Sequence, residues 1–199
     1  MPRKFFHKPD PSQSDRVPPG QYLAKGFPVL TYGETPQINN QDWQFKVWGL
    51  AEPKIFTWSD FMSLPQQDFT ADFHCVTRWS KLDVKWTGIK VTDFLQKIDL
   101  KPKSTHILQH CYGGYTTNLP LKDFARAENF FAHTLNGEPL SAEHGGPMRL
   151  VVPHLYAWKS AKWINGIEFL DQDQPGFWER NGYHQRGEPW AEERYAGRN

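Results

Sequence analysis

Cysteine is scarce. The 199-residue chain has only Cys75 and Cys111, too few for a disulfide scaffold. Two free thiols in a reducing compartment are a simpler expectation than one bridge. No C-x-x-C or H-E-x-x-H pattern occurs. His106 and His110 fall on a strand-like run, too far apart to share an ion, so no zinc site is expected. Charge is nearly balanced, with a net value of +1. That excludes a nucleic-acid-coating protein, which would show a basic excess. Long apolar runs are also missing. The opening segment "MPRKFFHKPD" carries no secretory signal, membrane anchor or twin-arginine pair. A soluble cytoplasmic protein without membrane contact is the expectation. A glycine-rich phosphate loop and a regular βαβ alternation are absent too, which disfavours Rossmann and P-loop architectures.

Aromatic residues are abundant, at 15% with 9 Trp, and a disordered chain would not carry so many large apolar rings. Residues 1–20, rich in Pro, Ser and charge, are expected to be a mobile lead-in, and 21–199 a single domain. Period-2 alternation predicts a strand in "WQFKVWGL" (43–50), and "IFTW" resumes extended structure. Ser59 is the expected N-cap of a short helix stopped by Pro65. "DFTADFHC" is a predicted strand ending at Cys75. "VTDFLQKI" (91–98) has a helical apolar face. "THILQHC" and "YTTNL" are predicted strands around a "YGG" turn. "PLKDFARAE" (120–128) suits a helix opened by proline. Asn136-Gly137 marks a hairpin, and "MRLVVP" and "WINGIEFL" are further strands. The last 29 residues are irregular and aromatic. The sum is an α+β domain with a mixed sheet and few, short helices.

Chemistry concentrates in three places. Cys75 sits at a predicted strand end, with His74 and Arg78 nearby. A lone cysteine is usually a small core filler, but cationic neighbours favour the thiolate that attacks electrophiles or binds metals. The run "EHGGPMRLVVPHLYAWKSAKW" (143–163) packs His144, Arg149, His154, Lys159, Ser160 and Lys162 into one short stretch. A solvated basic face would explain any one lysine. The whole set, beside a Gly-Gly-Pro turn, looks like a site for a phosphate-bearing cofactor. In "HCYGGYTTNL", Tyr115 opens a strand, where most tyrosines are packing residues with the hydroxyl at the rim.

"FHCVTRWS", "GGYTTNLPL" and "NGEPLSAEHGGPMRLVVPHLYAWKSAKW", in that order, resemble the molybdopterin-binding domain of the sulfite oxidase family. The likeness is greatest to its small stand-alone bacterial members. It runs from about residue 27 to about residue 190. It implies a mixed-sheet fold of sulfite oxidase type and a molybdenum-molybdopterin cofactor. Cys75 stands where the family places the thiolate that binds molybdenum, and a soft donor suits such a metal. Tyr115, five residues before Pro120, matches the tyrosine beside the metal's oxygen ligand. His144, Arg149, Ser160, Ala161 and Lys162 match residues that hold the pterin and its phosphate. His110 and Tyr32 are further cofactor contacts by the same likeness. On charge, Arg78, Arg180 or Arg186 would attract an oxyanion substrate. The entry segment "TYGETP" lacks the arginine that helps sulfite oxidases bind sulfite. Oxo transfer to or from a small sulfoxide-like or oxyanion substrate is therefore the expectation. The chain has no heme, flavin or iron–sulfur motif, so electrons are expected to pass to or from a separate protein. Two other classes stay open at this point: a non-catalytic binding or carrier module of the same fold, and a thiol-dependent hydrolase.

Overall fold

The computed structural model describes residues 15–197. Its strands, in chain order, are β1 (Tyr22–Leu23), β2 (Gln44–Gly49), β3 (Lys54–Thr57), β4 (Gln67–His74), β5 (Trp79–Lys90), β6 (His106–Cys111), β7 (Thr116–Pro120), β8 (Phe130–Leu135), β9 (Glu138–Pro139), β10 (Arg149–Val151) and β11 (Ile164–Leu170). Four short helices intervene: α1 (Trp58–Met62), α2 (Val91–Leu95), α3 (Leu121–Phe124) and α4 (Phe177–Arg180). The strands form two sheets. One runs β1-β5-β8-β10, with β4 added to β5 and β9 to β8; the other runs β3-β2-β11-β6-β7. Both are mixed, because β1 pairs parallel with β5 and β2 parallel with β11. The α+β expectation is met.

Alternation explains how the first sheet serves two cores. Phe131 and Leu150 point into one apolar cluster, shared with Phe45, Ile107 and Ile167 of the second sheet. Their neighbours Phe130, Ala132 and Val151 point the other way, into a second cluster that contains Cys75. Successive side chains on a strand face opposite sides, so β8 and β10 are buried on both faces. The second cluster also contains Phe73, Val76, Trp79 and Trp158, which form part of the wall of the cavity described below.

β5 is the longest strand, and periodicity alone does not reveal it. Asp83 adopts φ 55°, and the pairing with β4 shifts register between Ala71 and Phe73. A second shift follows between Thr87 and Gly88 against β8. Each irregularity resets the period-2 pattern. Gly88 is required by close approach: a Cβ there would lie 1.9 Å from the Phe131 carbonyl oxygen.

Several local expectations shift. The N-cap of α1 is Thr57 rather than Ser59. Its hydroxyl accepts from the Asp60 amide at 3.2 Å, and the Asp60 carboxylate accepts from the Thr57 amide at 2.7 Å. That reciprocal box outcompetes a lone serine. α2 stops at Leu95, although Ile98 is still buried. Pro120 ends β7 and caps α3 instead of opening it. Of the expected lead-in, residues 1–14 lie outside the described residues. Residues 15–20 pack against the domain: Val17 is buried, and Arg16 bridges Asp72 at 2.6 Å and Asp83 at 2.7 Å. Among the described residues no helix is long and apolar enough to cross a membrane.

A candidate cofactor and active site around Cys75

β4 ends at His74, and the chain reverses through residues 75–78 into β5. The Cys75 amide donates to the Trp79 carbonyl at 2.8 Å, and the Arg78 amide to the Cys75 carbonyl at 3.0 Å. Cys75 is 7% exposed and lines a cavity of about 340 Å³. Its Sγ lies 3.2 Å from the Thr77 hydroxyl. Burial pushes the thiol above its ordinary range, against the opposing pull of Thr77 and of the Arg194 charge. His74 does not assist, because alternation turns it to the opposite face. There its Nδ1 lies 2.8 Å from the Ser80 hydroxyl, and burial lowers its pKa to about 4.

One end of the cavity is cationic. Arg149 is buried. It donates to the His144 and Ser160 carbonyls, both at 2.9 Å, and its guanidinium sits 5.1 Å from the Phe73 ring centre. Desolvation lowers its pKa to about 9. Lys162 donates to the Thr31 hydroxyl at 2.7 Å and the Glu143 carbonyl at 2.8 Å, and burial lowers its pKa to about 8. His144 stacks on Phe27 with ring centres 5.0 Å apart; burial, then Arg149 and Lys162, lower its pKa. Neither Arg149 nor Lys162 has a carboxylate partner among the described residues. Among the described residues no Asp or Glu lines the cavity. A buried guanidinium and a half-buried ammonium left without counter-charge are costly, and an anion is the group that would complete them. Gly145, at φ 105°, brings the backbone close over Lys162, whose side chain a Cβ would meet at 2.8 Å. Ser160 is engaged within the fold, its hydroxyl oxygen accepting from the Val152 amide at 2.9 Å. Ala161 closes the floor, its carbonyl held by the Leu150 amide at 3.0 Å.

The rest of the wall is neutral and aromatic: Tyr32, Tyr115, Trp158, Trp178 and Tyr183. The Tyr115 hydroxyl donates to the Trp158 carbonyl at 2.7 Å. Burial, reinforced by Glu179, pushes its pKa well above the ordinary phenol range. Tyr183 is also raised, by burial and then by Tyr195 and Cys75. Tyr32 is 67% exposed and packs on Phe177 at 4.5 Å, at the mouth.

The fold thus gathers Cys75, Tyr115, Tyr32, His144, Arg149, Ser160, Ala161 and Lys162 around one cavity. It leaves out four residues expected there. His110 lies on β6, its Nε2 3.4 Å from Glu168 and its ring 4.6 Å from Trp48. Arg78 is exposed and reaches toward Gly20, outside the cavity lining. Arg180 and Arg186 are also elsewhere: Arg180 donates to the Pro175 carbonyl and Arg186 to Asp123. The tail packs over the domain, bringing Trp178 and Tyr183 to the wall. Arg194 had no sequence signal, since a lone charge in a polar tail reads as a solvated group.

Residues 32–178 match the model of the oxidoreductase molybdopterin binding domain. The chain is 45% identical over 186 residues to the uncharacterized oxidoreductase YuiH of Bacillus subtilis, covering 92% of this chain and 94% of that protein. It is 26% identical over 179 residues to a putative protein-methionine-sulfoxide reductase subunit, YedZ1, of Azospira oryzae, covering 88% of this chain and 68% of that protein. The solved structure of the sulfane dehydrogenase SoxCD of Paracoccus pantotrophus superposes with a TM-score of 0.64 at 21% identity. It covers 74% of this chain and 42% of that one, a likeness of fold. Cationic cradle, buried thiol and sequence agree: the chain belongs to the oxidoreductase molybdopterin-binding family of sulfite oxidase type, enzymes whose cofactor is molybdenum-molybdopterin.

Proposed function

We propose that the protein carries out two-electron oxo transfer at molybdenum on a neutral, sulfoxide-like substrate, with Cys75 as the thiolate ligand of the metal. One observation carries the reading. The buried Cys75 thiol lies in a cavity whose cations, Arg149 and Lys162, sit together beside His144, while the rest of its wall is uncharged among the described residues. The cations suit the cofactor's phosphate and pterin edge. Arg149 would grip an anion through guanidinium N–H groups, Lys162 would turn to it from Thr31, and Phe27 would hold His144 in place by stacking.

When bound, the cofactor supplies a metal that accepts or releases an oxygen atom with two electrons. The net reaction joins a sulfoxide, two electrons and two protons to give a thioether and water. The chain's own residues bind, orient and exclude water. Tyr32, Trp178 and Tyr183 offer apolar faces to the substrate's carbon groups, and Tyr115 holds a proton on the wall, released by turning from the Trp158 carbonyl. Among the described residues an oxyanion would find no free cation on that part of the wall, because Arg78 lies outside it. Electrons would come from a separate protein; the Azospira relative is itself named as a subunit.

Metal content by mass spectrometry, with turnover of dimethyl sulfoxide against reduced viologen and of sulfite against ferricyanide, tests this. Near one molybdenum per chain, lost in Cys75→Ser, with sulfoxide turnover exceeding sulfite turnover, is the expected result. Molybdenum retained in Cys75→Ser overturns the ligand. Metal without turnover of either substrate makes the protein a carrier module.

A further inference from the structure

We propose that Arg194 and Gln21, from the two ends of the domain, are positioning residues that clamp the loop carrying Cys75. The inference rests on the reading of Cys75 as the metal ligand. Residues 75–78 are not held by their own turn alone. Arg78 sits at φ 77°, a left-handed conformation that a non-glycine residue adopts only when its surroundings impose it. The loop carbonyls are held by donors from distant segments. Gln21 Nε2 donates to the Cys75 carbonyl at 3.0 Å, and the Tyr22 amide to the Arg78 carbonyl at 2.9 Å. From the other end, Arg194 Nη1 donates to the Val76 carbonyl at 2.8 Å.

Arg194 is 5% exposed. Its Nη2 reaches the Pro19 carbonyl at 3.2 Å, so one guanidinium ties both chain ends to the loop. Its Cζ lies 4.9 Å from the Tyr156 ring centre, and its Nη2 is 3.5 Å from the Glu192 carboxylate. The tail that delivers it is itself fastened, by a bridge between Tyr183 and Tyr195 and by the Ala196 amide donating to the Gly182 carbonyl at 3.0 Å. A buried charge that donates to neutral carbonyls is costly to desolvate, and its most direct effect here is to fix where Cys75 points. A ligand thiol must be held closely to the metal's geometry for tight binding.

The test uses the full chain with Arg194→Gln, Arg194→Lys and Gln21→Leu. Two rates are read: alkylation of Cys75 by iodoacetamide in metal-free protein, resolved by peptide mapping, and loss of molybdenum from loaded protein on dialysis. Cys111, buried on β6 and outside the cavity lining, is the internal control, because global unfolding exposes both thiols and loop opening exposes one. Arg194→Gln is expected to speed Cys75 alkylation and molybdenum loss by about tenfold each, the scale of one charge-assisted hydrogen bond, with Cys111 unreactive and Arg194→Lys intermediate. Wild-type rates at Cys75 in Arg194→Gln overturn the clamp, as does equal acceleration at both thiols. If Arg194→Gln does not fold, Gln21→Leu, which removes a single neutral bond, decides by the same two rates. Cys75→Ser separates the two readings: molybdenum retained there refutes the ligand, while accelerated Cys75 alkylation in Arg194→Gln still establishes the clamp.

Discussion

Lys159 Nζ lies 2.7 Å from Glu179 Oε1, and neither side chain has any exposed surface. The same carboxylate oxygen accepts from Trp158 Nε1 at 2.8 Å and from the Thr117 hydroxyl at 2.9 Å. Lys159 also donates to the Asn118 side chain at 2.7 Å and to the Gln185 carbonyl at 2.6 Å. The pair therefore joins α4 and the tail, which carry Trp178 and Tyr183, to the cavity wall formed by Trp158. Through the Trp158 carbonyl it also fixes the Tyr115 hydroxyl.

Removing one partner of this pair leaves a buried charge uncompensated. Glu179→Ala should lower unfolding free energy by about 3–5 kcal/mol, measured by urea denaturation. Glu179→Gln, which keeps an acceptor for Trp158 and Thr117, should cost less. Equal losses would mean that packing, not charge, sets the effect.

Tyr115→Phe separates chemistry from stability. The lost bond to the Trp158 carbonyl should cost about 1 kcal/mol, seen as a small drop in thermal midpoint. Turnover of the loaded enzyme should fall about 100-fold if the hydroxyl supplies a proton. Unchanged kcat would assign Tyr115 to packing alone.

Anion binding at the cationic end should depend on pH. Sulfate keeps its charge across the range, so only the protein titrates. Lys162 is protonated below about 8 and neutral above it; sulfate affinity of the metal-free protein, measured by calorimetry, should weaken as pH rises through that value. In Lys162→Met the step near pH 8 should disappear.

His154 makes the fold sensitive to acid. Its ring is held neutral by burial, with a pKa lowered to about 4 from the ordinary 6.5. On acidification the unfolded chain therefore takes up the proton first. The contribution to stability is complete above pH 6.5 and is lost as pH falls toward 4. Thermal midpoints should drop between pH 7 and pH 5, and His154→Asn should flatten that drop.

Much of the site was legible in order along the chain. The strand before Cys75, the Asn136-Gly137 turn and the basic run from His144 to Lys162 rest on local rules of alternation, turn chemistry and charge density. The family resemblance then assigned those residues to a cofactor. β5 was not legible, because its two register shifts and the left-handed Asp83 break the period on which strand recognition depends. Arg78 shows the same limit at the site. It lies near Cys75 in sequence, but the turn that aims the thiol inward leaves the guanidinium outside.

The sequence by itself determined the α+β class, the motifs that make up the candidate site and the balance of charge, since each depends on neighbours a few residues apart. Only the tertiary structure decided which cations face the cavity and which face solvent, that Lys159 is a buried strut rather than a surface charge, and that Arg194 reaches Val76. Those are contacts between segments far apart in the chain, and burial, which governs their energetics, is a property of the assembled core.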